Sequence, residues 1–286
     1  MSTQLVGLIA TYDITGFLSG AQEQRVPTPW GEARYYLGEL QGRRVALLQR
    51  YGREMEMVQH LVNFRANLWG FRQLGVRRVI ATDGVGSLRQ DLAPGSFVVV
   101  DDFLDFTQHG SVSFFEEHGC SVRVDLSTPL CPEVRAALVA ATRLMAQPAR
   151  DRAVLAAFEG PRFEAPAEVR MAQTLGADIV GTLLVPEIVL AREAEICLGL
   201  LGMAIDYAAG LAPRVDRRGA GSMEDVYLTG PHRLLAAVLR ETITRLPSER
   251  RCPCAAAVPQ TVFGRLPAWY EGKNAKTRQG SDGNAV

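Results

Sequence analysis

Short apolar runs that alternate with segments of helical periodicity constrain this chain most. Leu5–Ala10, Arg43–Gln49, Val79–Thr82, Ser96–Val100, Val154–Phe158, Ile179–Val180 and Cys197–Ile205 are brief and apolar enough to be buried strands. Between them, Leu61–Leu74 places Leu61, Phe64, Leu68 and Phe71 on one helical face and ends at Gly75. Pro132–Leu144, Pro166–Leu175 (stopped by Gly176), Val185–Ala194 and His232–Leu246 also read as helices, three of them with proline in the first turn. Strand and helix in alternation predict a single α/β domain, with a mixed, mainly parallel sheet flanked by helices. We place that domain at residues 1–250, with residues 251–286 as a C-terminal extension. Arg214–Glu224 reads as a mobile loop, and the polar tail beyond Glu271 is expected to be disordered.

Composition narrows the function. Lysine plus arginine and aspartate plus glutamate both total 31, so no basic excess is present for nucleic acid or an anionic membrane. No apolar run reaches membrane-spanning length, and the first residues lack the basic segment of a signal peptide. Five cysteines (Cys120, Cys131, Cys197, Cys252, Cys254) are too few for a dense disulfide framework, so a cytoplasmic location is expected. Cys252-Pro253-Cys254 reads as a surface turn or a local redox bridge, and two thiols alone make a poor zinc site. The four histidines show no ligand spacing, and neither a metal nor an organic cofactor is expected.

Ligands in open α/β sheets bind beyond the carboxyl ends of strands. Four such ends carry polar or glycine residues: Thr11-Tyr12, Arg50 to Arg53, Asp83 to Ser87, and Asp206. Arg50 has the donor fork for an oxyanion, although a lone arginine is more often a surface residue. Gly84-Val85-Gly86-Ser87 reads as an exit loop whose N–H groups face an anion. It lacks the lysine of a Walker loop and the third glycine of a dinucleotide fingerprint. Asp206 suits an acid or a partner for a heterocyclic nitrogen, with a turn aspartate as the plain alternative. Phe163 suits stacking on a ring or simple core packing. Glu187, at a helix start, has a favourable dipole and a side chain able to reach a sugar hydroxyl or a supporting residue.

Taken in order, these residues resemble the trimeric nucleoside phosphorylases, nearest the methylthioadenosine phosphorylase branch. The resemblance rests on Thr28-Pro29-Trp30-Gly31, on Arg50 to Trp69 with Asn63 and Ala66-Asn67, and on Gly86-Ser87-Leu88-Arg89 with Pro94-Gly95. Leu130-Cys131-Pro132, Glu159-Gly160-Pro161-Arg162-Phe163, Gly176-Ala177-Asp178, Val185-Pro186-Glu187 and Asp206-Tyr207 continue it, from about Leu5 to Leu246. It implies a homotrimer with sites near the subunit interface. It also implies cleavage of a nucleoside's N-glycosidic bond by phosphate, giving base and pentose 1-phosphate.

Carried over position by position, the resemblance assigns phosphate or acceptor contacts to Thr11, Tyr12, Arg50, Tyr51 and Gly84. Base contacts fall to Phe163, Glu164, Asp206 and Ala208. Sugar contacts fall to Thr182, Glu187 and, from a neighbouring subunit, Arg123. Asp206, Arg50 and Asp83 are the candidate catalytic residues. Several positions differ from the family. Its glycine-rich first loop is Ala10-Thr11-Tyr12-Asp13 here, its Arg-His-Gly is Arg50-Tyr51-Gly52, and its Thr-Ala pair is Asp83-Gly84. The serine after Phe163 is Glu164, Asn-Met-Thr is Gly181-Thr182-Leu183, and the second aspartate of Asp-Tyr-Asp is Ala208. A carboxylate at Asp83 would repel phosphate by a few kcal/mol. Two further readings follow: a phosphate-independent hydrolase or specialised nucleoside-modifying enzyme, using water or another acceptor held by Asp83 or Asp13, and a binding protein without turnover.

Overall fold

The computed structural model describes residues 4–108, 113–145, 148–211, 231–258 and 262–271. The loop expected at Arg214–Glu224 and the tail beyond Glu271 lie outside the described residues. The chain runs β1 (Val6–Ala10), β2 (Ser19–Thr28), β3 (Gly31–Leu40), β4 (Arg43–Gln49), α1 (Phe64–Gln73) and β5 (Arg78–Ser87). It continues with β6 (Phe97–Val99), β7 (Asp102–Asp105), β8 (Ser121–Val122), α2 (Pro132–Thr142), β9 (Ala149–Arg150) and β10 (Val154–Phe158). Then come α3 (Pro166–Thr174), β11 (Ile179–Thr182), α4 (Val185–Glu193), β12 (Cys197–Tyr207), α5 (Pro231–Arg245), β13 (Val262–Phe263) and the short α6 (Ala268–Glu271). No described helix is long and apolar enough to cross a membrane.

Among the described residues, eleven strands form one mixed sheet in the order β2-β3-β4-β1-β5-β11-β10-β7, with β12 branching from β5 to β6 and β9. Its inner ladders (β4 to β1, β1 to β5, β5 to β12, β11 to β10) are parallel, as the alternating pattern predicts. Helices α1 and α4 cover one face through Trp69, Phe71, Leu184 and Ile188. Helices α2 and α5 cover the other through Val134, Leu138, Leu235 and Leu239. Every residue of β1 is buried, and Gly7 leaves no room for a side chain: a Cβ there would sit 2.7 Å from Val79 Cγ2 and 2.9 Å from Phe71. Asn63 caps α1 by accepting from the Ala66 N–H at 3.0 Å, which satisfies one orphan donor of the first turn.

The structure departs from the sequence expectation in several places. The β2–β3 hairpin carries no clear apolar signal in β2, because that strand is the sheet edge and is almost wholly exposed. Asp83 to Ser87, expected as an exit loop, is the second half of β5. Its glycines sit in the ladder, Gly84 opposite Met203 and Gly86 opposite Asp206, so their N–H groups belong to a strand rather than to an anion-binding loop.

The branching of β5 makes the functional cleft. Its first residues, Arg78 to Ala81, pair with β1, and its last, Gly86 and Ser87, pair with β11 in the antiparallel sense. In between, at Asp83 and Gly84, β1 has ended and β11 has not yet joined. The sheet opens there. The segment after Gln59, expected as helix from Leu61, begins as a single 3-10 turn before α1. Beyond residue 250, the chain returns to the core and buries Cys254, Val258 and Tyr270. Tyr270 donates its hydroxyl to the Glu193 carbonyl at 2.9 Å and lies under the Arg72 guanidinium, 4.2 Å from the ring centre.

Candidate active site

The split in the sheet is lined from five strands. Thr11 and Tyr12 follow β1, Tyr51 follows β4, Asp83, Gly84 and Gly86 lie on β5, and Thr182 ends β11. Ile205, Asp206 and Ala208 come from the end of β12. Pro161 to Glu164 form the opposite wall. The ladder between β12 and β5 shifts register between Ala204 and Asp206, so a bulge at Ile205 re-aims the Asp206 side chain. Asp206 Oδ1 lies within 3.4 Å of a Cβ built on Gly86, so a side chain there would crowd it. Leu183, next to Thr182, takes φ 51°, a left-handed conformation that costs a branched residue strain. It turns the chain from β11 into α4 at the edge of the cleft.

Two ends of the cleft differ in chemistry. At one end, Phe163 stands at the mouth, 60% exposed, beside Glu164 and Asp206. Burial raises the Glu164 carboxyl above the usual range, and the charge of Asp206 adds to that rise. Two acidic side chains and one ring thus face the same space, as a planar heterocycle would require.

At the other end, Asp83 and Thr11 form the floor. Burial pushes the Asp83 carboxyl up to about 6, against the pull of Arg50 and the Thr11 hydroxyl. Thr11 donates its hydroxyl to Asp83 and accepts from Arg50 Nη1 at 2.6 Å. Arg50 lies beneath, fully buried. Its Nε donates to Glu187 Oε1 at 2.6 Å, its Nη2 to Oε2 at 2.9 Å, and its Nη1 also to the Thr82 carbonyl at 3.1 Å. These contacts take four of the five N–H donors of a guanidinium, leaving at most one for a ligand. Although burial works against its charge, Glu187 keeps Arg50 protonated.

Not every expected residue lines the cleft. Arg50 and Glu187 lie below its floor, and Glu187, bidentate to Arg50, supports that arginine rather than opening toward a sugar. Arg123 is exposed on β8's flank, its guanidinium 5.5 Å from the Phe263 ring centre, outside the cleft of its own chain. Asp13 is held by Arg53 at 2.8 Å, by Gln49 Nε2 at 2.9 Å and by Thr15, also outside the cleft. A water-activating role for Asp13 has no geometry behind it. Met55 and Gln59, which the sequence reading passed over, line the mouth. Their only signal was position: they lie in the loop beyond β4. Cys252 and Cys254, expected in a turn without partners, stand with Cys131 and Cys197, all four sulfur atoms within 4.8 Å of one another.

A probable 6-oxopurine nucleoside phosphorylase from Moorella thermoacetica is 39% identical over 259 residues, covering 90% of this chain and 98% of the relative. A probable S-methyl-5'-thioinosine phosphorylase from Methanopyrus kandleri is 41% identical over 249 residues, covering 85% and 94%. The crystal structure of a methylthioadenosine phosphorylase from an antarctic soil metagenomic library superposes with a TM-score of 0.85. It is 27% identical and covers 94% of this chain and 97% of its own. Residues 13–240 match the family described as the phosphorylase superfamily, and the chain belongs to it.

Proposed function

We propose that this protein is a nucleoside phosphorylase whose substrate carries a 6-oxopurine base. The observation that carries the base assignment is that Glu164, next to Phe163 on one wall, and Asp206 on the other line the same cleft, with Ala208 in the second acidic position. A 6-oxopurine presents an N1–H donor, which a carboxylate accepts. Adenine presents a bare N1 there, which a carboxylate repels. Glu164 therefore favours the oxo base, while Ala208 offers no acceptor to a 6-amino group. Relatives with 6-oxopurine and thioinosine names agree with this reading. Phe163 stacks on the ring. As the glycosidic bond lengthens, electron density moves onto the base, and Asp206 supplies a proton or hydrogen bond to its nitrogen.

The acceptor is inorganic phosphate, placed over Asp83, Thr11 and Thr182. The buried group beneath has a net charge of −1 when Arg50, Glu187 and Asp83 are all ionised, and zero when Asp83 is protonated. Phosphate therefore binds with Asp83 in its neutral form, whose O–H is a donor to the anion. Burial already brings that form within reach near neutral pH. The bound anion then faces the developing oxocarbenium ion and stabilises it. Met55, Met57, Val58 and Leu61 are at least 40% exposed beside the cleft mouth. They suit contact with a second copy of the chain in a homotrimer, which would also bring a neighbour's Arg123 to the sugar's 5′ side.

The test is turnover of inosine, guanosine and adenosine, with and without a 5′-methylthio group, in phosphate buffer. A preference for the 6-oxo bases of at least tenfold supports the assignment. Equal or better use of adenosine sinks it.

A further inference from the structure

We propose that Cys131, Cys197, Cys252 and Cys254 bind a structural zinc ion as a tetrathiolate site. Three separate parts of the chain build it. Cys131 is the N-cap of α2, Cys197 is the first residue of β12, and Cys252 and Cys254 flank the proline that starts a 3-10 turn after α5. Their sulfur atoms lie within 4.8 Å of one another, and all four cysteines are free thiols. With Zn–S about 2.3 Å, the sulfurs of a tetrahedron stand about 3.8 Å apart, so small side-chain shifts close the shell. Cys197 and Cys252 are 3.3 Å apart, well beyond an S–S bond of about 2.05 Å.

The surroundings match the charge of such a centre. Four thiolates around a divalent ion carry −2. Arg192 Nη1 lies 3.3 Å from Cys254 Sγ, and Arg250 Nη1 lies 3.8 Å from Cys197 Sγ. Two guanidiniums thus balance the charge and donate N–H···S bonds, as outer-shell groups do at thiolate sites. Neutral thiols alone would leave two cations aimed at weak acceptors. Arg192 is buried, and its other nitrogen Nη2 donates to the Thr128 carbonyl, which fixes its direction.

The site stands far from the chemistry. Cys197 opens β12 and Asp206 lies nine residues on, roughly 30 Å at about 3.3 Å per residue. The ion's role is therefore to hold the returning C-terminal segment against the amino ends of β5 and β12. Arg78 opposite Cys197 and Glu133 beside Cys131 reinforce that junction through the Glu249 carbonyl (2.7 Å) and the Arg251 N–H (2.7 Å).

The test uses the full-length protein, purified without a metal-binding tag and under reducing conditions. Elemental analysis should find close to one zinc per chain. Replacement by Co(II) should give the intense visible bands of tetrahedral thiolate coordination. A strong chelator should lower Tm, and added zinc should restore it. Cys252→Ser, the outermost of the four, should lose the metal and the chelator effect while keeping KM for nucleoside at low temperature. If that variant does not fold, the metal content of the unaltered protein still decides. Five titratable thiols in the unfolded protein (the four of the site and Cys120) with no metal and no Co(II) uptake would overturn the proposal. So would a mass two or four units low under non-reducing conditions, which would mean disulfides.

Discussion

Replacing Asp83 with asparagine isolates the electrostatics of the acceptor site. The substitution keeps shape and an acceptor for the Thr11 hydroxyl but removes the titration. In the unaltered protein, burial pushes the Asp83 carboxyl up to about 6, so phosphate meets the neutral form below that pH and must drive protonation above it. At pH 8, two units above, that step costs about 2.7 kcal/mol at about 1.36 kcal/mol per unit, close to a hundredfold in affinity. Binding against the ionised carboxylate instead is no easier: two charges about 4 Å apart repel by about 4 kcal/mol at an effective dielectric near 20. The expected profile of kcat/KM for phosphate is thus a tenfold fall per pH unit above about 6. Inorganic phosphate titrates in the same region, so the unaltered profile alone does not identify Asp83. The variant does. Asp83→Asn should flatten most of the fall and bind phosphate more tightly at pH 8, measured by initial rates at saturating nucleoside. An unchanged slope in the variant refutes the reasoning.

Other outcomes follow from the same geometry. Asp206→Asn should lower kcat by about 10²- to 10⁴-fold, because it removes the group that donates a proton or hydrogen bond to the leaving base. Glu164→Ser should shift preference from 6-oxo toward 6-amino bases by ~1–3 kcal/mol, read from competing nucleosides in one reaction. Glu187→Ala leaves Arg50, which is fully buried, without its bidentate partner, and should cost about 3–5 kcal/mol in denaturant unfolding. Glu193 is buried and pushed up to about 7, so its ionisation opposes folding above that pH and not below its ordinary value of 4.5. Glu193→Gln should therefore raise stability at pH 8 and leave it nearly unchanged at pH 4.5.

What the sequence revealed depended on how local the signal was. β1, β4, β10 and β12 are continuous apolar runs, and α1 and α3 end at glycines, so they were visible residue by residue. The exposed edge strand β2 has no buried face to imprint a pattern. Glycines at 84 and 86 resembled a turn because the central strand must bend where the sheet divides. The cleft residues were named because they follow strands, and their order matched a family pattern. Their partners were not readable. Arg50 and Glu187 lie 137 residues apart in sequence, and nothing local says that the arginine spends its donors on that carboxylate. The cysteines failed for the same reason: 252 and 254 are neighbours, but 131 and 197 reach them only through the fold.

The central claim is phosphorolysis, and the product decides it. Inosine should be incubated with the protein and followed by 31P NMR together with base release, with phosphate present and with phosphate rigorously removed. The account predicts a new pentose 1-phosphate resonance growing in step with hypoxanthine, and no base without phosphate. Hypoxanthine released at the same rate in its absence, or no turnover while nucleoside binds, would contradict it.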